Sequence, residues 1–212
     1  MINFIPVFPL SIVVFPAETL NIHIFEAKYR QMISDCMELK KPFGLITVLD
    51  NKVQDHGTLM EIIEVTKTYD TGEMDIKTKG KKVFKTLEHI VQIPDKLYSG
   101  AIVSYPKNQV KGKRLMMVKL ISLMNVLHDL LKLKNPHKKE ASDLWSYDIA
   151  HSVGLTLEQE YELLAFTNEL HRQEYLRRHF SEVIPVVIEM EALKRKIKLN
   201  GHFKNISGFN IS

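Results

Sequence analysis

Residues 8–36 read FPLSIVVFPAETLNIHIFEAKYRQMISDC, apolar runs cut by Pro9 and Pro16 that pass without a glycine into a segment of helical period. Tyr29, Met32, Ile33 and Cys36 recur at intervals of three and four, the spacing that lines one face of a helix. Glu26 and Arg30 stand four apart, where an ion pair can form along a helix surface. A helix is therefore expected over residues 26–39. Lys40, Lys41 and Pro42 end it, since cations suit the carbonyl end of a helix and proline cannot continue one.

Around this helix, the chain up to Tyr105 is strand-like. Short runs at 4–8, 12–15, 43–49, 59–69, 73–79, 82–87 and 101–105 are separated by turn residues. Asp70-Thr71-Gly72 reads as a hairpin loop, with glycine available for a positive φ. Many short strands with a single inserted helix favour a small barrel. Phe8, Val14, Phe25 and Tyr29 stand at spacings that fill such a barrel and seat the helix against it. His23, alone in an apolar run, reads as a strand or core histidine with its hydrogen bonds met.

From Lys113 onward the period changes to about 3.6 residues. Met117, Leu120, Ile121, Met124, Leu127 and Leu131 make one stripe, and Leu123, Val126 and Leu130 widen it until most of the helix is expected to be buried. Asn135-Pro136 and the stretch HKKEAS read as a loop before a short segment, 143–153, that stops at Gly154. Thr156 and Gln159 fit a capping box opening a helix at Leu157. A long helix follows over 170–199, stepping through Leu176, Phe180, Val183, Val187, Met190, Leu193 and Ile197, with a kink expected at Pro185 and a cap at Gly201. The fold class is α+β, with a barrel over residues 1–108 and a helical bundle over 109–212.

With 212 residues, 45% hydrophobic and 25% charged, the chain has the make-up of a folded globular protein. A net charge of +4 permits an acidic partner without requiring one. Cys36 is the single cysteine, so an intramolecular disulfide and a multi-cysteine zinc cage are both excluded. Prolines interrupt the N-terminal apolar residues, and Lys119, Asn125, His128 and Asp129 interrupt the most apolar window, 116–131, so neither a signal peptide nor a membrane span is expected. A cytoplasmic protein is expected.

Catalytic machinery is not legible. The glycines never form a phosphate-cradling loop, no histidine pair has zinc-ligand spacing, and His171 and His179 lie eight apart. There is no nucleophile elbow, Cys36 sits on the apolar face of its helix, and Glu158, Glu160, Glu162 and Glu169 read as a solvated helix face. No enzyme activity, metal or cofactor is expected.

The opening stretch closely resembles the start of the Lon protease N-terminal domain family, through Phe8, Pro9, Leu10, Val13, Val14, Phe15, Pro16, Leu20, His23, Ile24, Phe25, Glu26, Tyr29, Arg30 and Met32. The similarity continues through FGLITV at 43–48, Gly57, and IIEVTKTYDTGEMDIKTKGKKVFK at 62–85, and more loosely through 155–180. Asn21 stands where the family usually has proline, and Lys28 where arginine is common. The resemblance implies a PUA-like β-barrel carrying a helical bundle, in a family whose corresponding region engages substrate polypeptides and helps assembly. Since the sequence stops at Ser212, before ATPase and Ser–Lys protease domains could begin, it implies a freestanding bacterial member and no proteolysis.

Two functional readings follow. In the first, the protein is a non-catalytic module that binds unfolded or degron-bearing polypeptides, with a full-length protease as a further partner; a regulatory scaffold that associates with a protease is an alternative to it. Strand edges and apolar grooves serve such binding, and Phe15, Pro16 and Leu20 are the candidate contacts. In the second, a PUA-like barrel holds RNA, with Lys77, Lys79 and Lys81 alternating along one strand face toward phosphates. Only Phe84 and Tyr69 lie near for base stacking, and a lysine-guarded edge strand accounts for the same row, so nucleic acid is the weaker partner.

Overall fold

The computed structural model of the chain describes residues 2–133 and 144–206. In chain order the elements are β1 (Ile2–Leu10), β2 (Thr19–Ile24), α1 (Ala27–Glu38), β3 (Phe43–Leu49), β4 (Lys52–Thr68), β5 (Met74–Ile90), β6 (Gly100–Ser104), α2 (Arg114–Leu131), α3 (Ser146–Ile149), α4 (Leu157–Ala165) and α5 (Glu169–Ile206). This is a mixed α+β fold. The expected HKKEAS loop and Asp143 lie outside the described residues.

The six strands form one sheet in the order β2-β5-β4-β3-β1-β6, and β5 also pairs with β6, so β1, β3, β4, β5 and β6 pair in a closed circuit. The length of β5 makes this possible. Its first half pairs with β2, from Met74↔Ile24 to Lys79↔Thr19, and its second half with β6, from Lys85↔Ser104 to Ile90↔Gly100. The two runs expected at 73–79 and 82–87 are thus one strand that continues through Gly80.

Inside the circuit, Phe84 lies opposite Gly57 in the β4–β5 register, and its ring also reaches Gly44 of β3. A Cβ on Gly57 would meet Phe84 Cζ at 2.6 Å, and one on Gly44 would meet the same atom at 2.8 Å, so only glycine leaves room for the ring at both places. Ile5, Val7, Ile46, Leu59, Ala101 and Val103 close around it. A second core forms where α1 packs its expected face, Tyr29, Met32, Ile33 and Cys36, onto Phe8, Val14, Ile24, Phe43, Leu45, Met60 and Ile76.

Residues 12–15 are not a strand. Val13, Val14 and Phe15 are buried, but the segment's polar groups are met mostly by side chains: Thr47 Oγ1 donates to the Ile12 carbonyl at 3.0 Å, Thr58 Oγ1 donates to the Val14 carbonyl, and the Phe15 N–H donates to Glu18 Oε2 at 2.8 Å. A buried run with its hydrogen bonds supplied in this way needs no ladder partner. Sequence reasoning missed β2, whose alternation places Leu20 and Ile22 against the core.

Contacts divide the chain into one unit of Met1–Lys111 with Gly154–Glu169 and another of Gly112–Val153 with Leu170–Ser212. Residues 154–169, including α4 with its Thr156–Gln159 capping box, therefore group with the strands. In the helical unit α2 buries Met117, Leu120, Met124 and Leu127, but Leu115 is 86% exposed and Val118 and Val126 are also exposed. The expectation of a helix buried over most of its circumference is corrected: one face is covered. Likewise α5 buries Leu176, Phe180 and Val187, whereas Met190, Leu193 and Ile197 are exposed, and the helix runs through Gly201 to Ile206 instead of ending there.

Replacing Phe84 with alanine removes a ring that two strands are shaped around, and is expected to cost about 3–5 kcal/mol in urea unfolding. Gly57→Ala, which forces that ring and the Leu45 carbonyl to move, is expected to cost about 1–3 kcal/mol. A wild-type midpoint for either variant would contradict the packing.

Candidate functional site

Helix α1 ends in a left-handed turn. Lys40 takes φ +51°, its N–H donates to the Met37 carbonyl at 3.2 Å, and the Lys41 N–H donates back to the Cys36 carbonyl at 2.8 Å. This satisfies helix-end carbonyls with a lysine where glycine is commoner. Pro42 follows, with no N–H to offer a neighbouring strand. Only at Phe43 does the chain join the sheet, pairing with Met60.

Strand β4 is much longer than its partner. β3 covers it from Lys52 to Met60, and beyond that point residues 61–68 pair, among the described residues, with β5 alone. Where the chain from α1 peels away, it leaves a groove of about 660 Å³ between the C-terminal end of α1 and β4. Its apolar wall includes Met37, 44% exposed, and Ile63, 49% exposed. Ile63 stands at a register shift against β5, between Ile62 and Glu64, and such a bulge re-aims a side chain. Lys40, Lys41, Glu61, Glu64, Lys81 and Lys82 supply the charge around it.

Three of those charges are already met: Lys81 Nζ reaches Glu61 at 2.8 Å, and Lys77, outside the groove, reaches Glu64 at 3.4 Å. Cys36 lines the groove's inner end, and burial, reinforced by the neighbouring Asp35 carboxylate, pushes its thiol up to about 11. The thiol is a packing group, not a nucleophile.

The other side of α1 is strapped to the segment between β5 and β6. Asp35 accepts from Lys96 at 2.7 Å and from the Tyr98 hydroxyl at 2.6 Å, while Gln31 accepts from the Leu97 N–H at 2.7 Å and donates to the Asp95 carbonyl at 3.3 Å. The Lys96 and Tyr98 bonds hold the Asp35 carboxyl below the usual carboxylate range. Arg30 extends the bracing, donating to the Thr71 carbonyl at 2.6 Å in the expected hairpin turn, where Gly72 has φ +81°. The expected Glu26–Arg30 pair does not form; Glu26 meets Lys28 at 3.0 Å instead.

Of the residues singled out from sequence, Phe15 is 1% exposed and offers no surface to a ligand, whereas Pro16 and Leu20 are half-buried. None of the three lines the groove. Lys77, Lys79 and Lys81 do point away from buried Ile76, Thr78 and Gly80, but at Lys77 and Lys79 β5 is paired with both β2 and β4, so these two guard no sheet edge. Phe25 is 60% exposed and stacks on His23, with ring centroids 6.1 Å apart; it does not fill the core. His23 is a hydrogen-bonded strand histidine, 2.6 Å from Asp75. Glu169 is fully buried, which corrects its placement on a solvated face.

Met37, Ile63, Lys40 and Lys41 were not visible as site residues, since their exposure depends on where β3 stops covering β4. Among the described residues no cluster of histidine, cysteine and carboxylate groups could hold a metal ion, and no helix is long and apolar enough to cross a membrane.

Comparison with known proteins gives a consistent picture. The family model for the ATP-dependent protease La (LON) substrate-binding domain matches residues 5–179. A crystal structure of a Lon N-terminal domain protein from Xanthomonas campestris superposes with a TM-score of 0.63 at 22% identity, covering 83% of this chain and 98% of that one. The N-terminal domain of the Mycobacterium avium complex Lon protease gives 0.60 at 15% identity, covering 85% and 99%. At these identities the solved structures speak to the fold.

Two measurements check the local chemistry. Cys36 is expected to resist alkylation at pH 8 until denaturant opens the core; rapid labelling of the folded protein would contradict its burial. Because its folded-state acidity is enhanced, Asp35 stabilises the fold above the ordinary carboxylate range, and this contribution is lost as pH falls through its folded value. Asp35→Asn is therefore expected to cost about 1 kcal/mol at pH 7, with the gap closing in acid. A pH-independent gap would mean that the carboxylate charge contributes nothing.

Proposed function

The chain belongs to the ATP-dependent protease La (LON) substrate-binding domain family, and from that premise we propose that it is a non-catalytic module that holds unfolded or degron-bearing polypeptide in the groove between α1 and β4. The observation that carries this reading is the exposure of Met37 and Ile63 together beside a strand whose outer half has, among the described residues, no second neighbour. Apolar side chains in a groove supply affinity without demanding one sequence, as a binder of many unfolded chains requires, and a flexible methionine adapts to different occupants. The closed strand circuit around Phe84, with α1 inserted between β2 and β3, supports reading the strand-rich part as a PUA-like barrel. A cytoplasmic setting beside a separate protease suits this role.

The lysine row gives less support to RNA. Lys77 and Lys81 are each met by a glutamate of β4, Phe84 is buried, and the Tyr69 hydroxyl is tied to Asp75 at 2.8 Å. A phosphate-tracking face with stacking platforms needs cations and rings that are available.

The test is binding to a fluorescent, permanently unfolded polypeptide. Micromolar affinity is expected, little changed between 50 and 300 mM salt because apolar contacts dominate. Met37→Asp combined with Ile63→Asp is expected to weaken it at least tenfold, about 1.4 kcal/mol, with an unchanged melting temperature since both side chains are exposed. Wild-type affinity in that variant would remove the groove from the account, and indifference to every unfolded chain would remove the function.

A further inference from the structure

Resting on the reading of the groove as a polypeptide site, we infer that its occupant is an extended segment that adds to β4 as a new strand along residues 61–68 and presents an acidic side chain to Lys40 and Lys41. The first argument is hydrogen-bond supply. From Glu61↔Lys79 to Thr68↔Met74 this stretch bonds to β5 on one side, and among the described residues no strand lies on the other. Every residue from 61 to 68 is exposed or half-buried. Peptide groups in a strand alternate in direction, so part of the N–H and C=O set here faces open space and forms a template for another chain.

The second argument is access. The segment that would otherwise continue β3 along this edge is diverted by the left-handed Lys40 and by Pro42, so the vacant lane begins where Phe43↔Met60 pairing stops and opens directly into the groove. A strand laid in that lane runs beside Met37 and Ile63, and its side chains on one face meet them at alternate positions.

The third argument is charge. Glu61 and Glu64 are engaged by Lys81 and Lys77, whereas no carboxylate among the described residues pairs with Lys40, Lys41 or Lys82. Lys82 instead lies 3.6 Å from the centroid of the Tyr105 ring. The groove therefore holds a cationic surplus beside the α1 terminus, which favours a carboxylate on the incoming segment.

Main-chain pairing is tested with eight-residue fluorescent peptides of alternating valine and glutamate, unmodified or N-methylated at every second amide in either of the two phases. Methylation in one phase, which removes the donors facing β4, is expected to weaken binding at least tenfold, and methylation in the other to change it less than threefold. Amides within residues 61–68 should gain hydrogen-exchange protection in the complex. The charge argument is tested with Lys40→Glu/Lys41→Glu, which should lose three- to tenfold for the glutamate peptide and recover with its lysine counterpart. Equal effects of the two methylation phases, or no protection on β4, would overturn strand addition. If the unfolded polypeptide still binds in that case, the groove's function stands without it. If neither the peptides nor the unfolded polypeptide bind, the polypeptide-binding reading falls, and this inference with it.

Discussion

The ring of Phe84 is shared by three strands: it projects from β5, crosses Gly57 of β4 and ends against Gly44 of β3. Such an arrangement needs a glycine on each of the two neighbouring strands, Gly57 directly opposite the ring and Gly44 two residues out of register with it, and the strands around it pair in the circuit that β5 and β6 complete. With the centre filled, the second core has to be built outside it by α1. Tyr29, Met32, Ile33 and Cys36 can bury against the sheet only if the chain leaves β2, runs the helix and returns at Phe43.

That return creates the groove. A helix of twelve residues delivers its end near β4 but not in line with it, and Lys40 and Pro42 turn the chain back in three residues. The turn leaves eight residues of β4 without a second strand partner among the described residues. The strap from Asp35 and Gln31 to residues 95–98, and that from Arg30 to Thr71, then hold α1 from its other sides, so the apolar wall at Met37 is carried by a helix fixed at several points. A site on braced elements keeps its geometry without ligand, which limits the ordering cost of binding.

Much of this was legible in the residues. The α1 period, the Asp70–Gly72 turn, the Thr156–Gln159 capping box and the burial of Cys36 follow from local patterns whose causes lie within a few residues. Readings failed where a distant group decided the outcome. The run at 12–15 looks like a strand because it is apolar and β-branched, yet threonine hydroxyls of β3 and β4 satisfy it from more than thirty residues away. Arg30 chose a carbonyl forty-one residues off over the glutamate in its own first turn. Phe15, a candidate contact for which burial was the other reading, is core.

Residue patterns alone set the class of the protein and its local elements: an α+β chain, strand-rich first and helical afterward, without recognisable catalytic spacing. Periodicity, capping and turn chemistry act over one or two turns of chain, so they can be read from neighbours alone. Which strands lie side by side, and which edge is left open, was decided only by the tertiary structure. Pairing depends on how far β3 runs before the chain from α1 joins it, and exposure of Met37 and Ile63 depends on that pairing. Both are consequences of closing the sheet around Phe84, and no short stretch of residues contains that information.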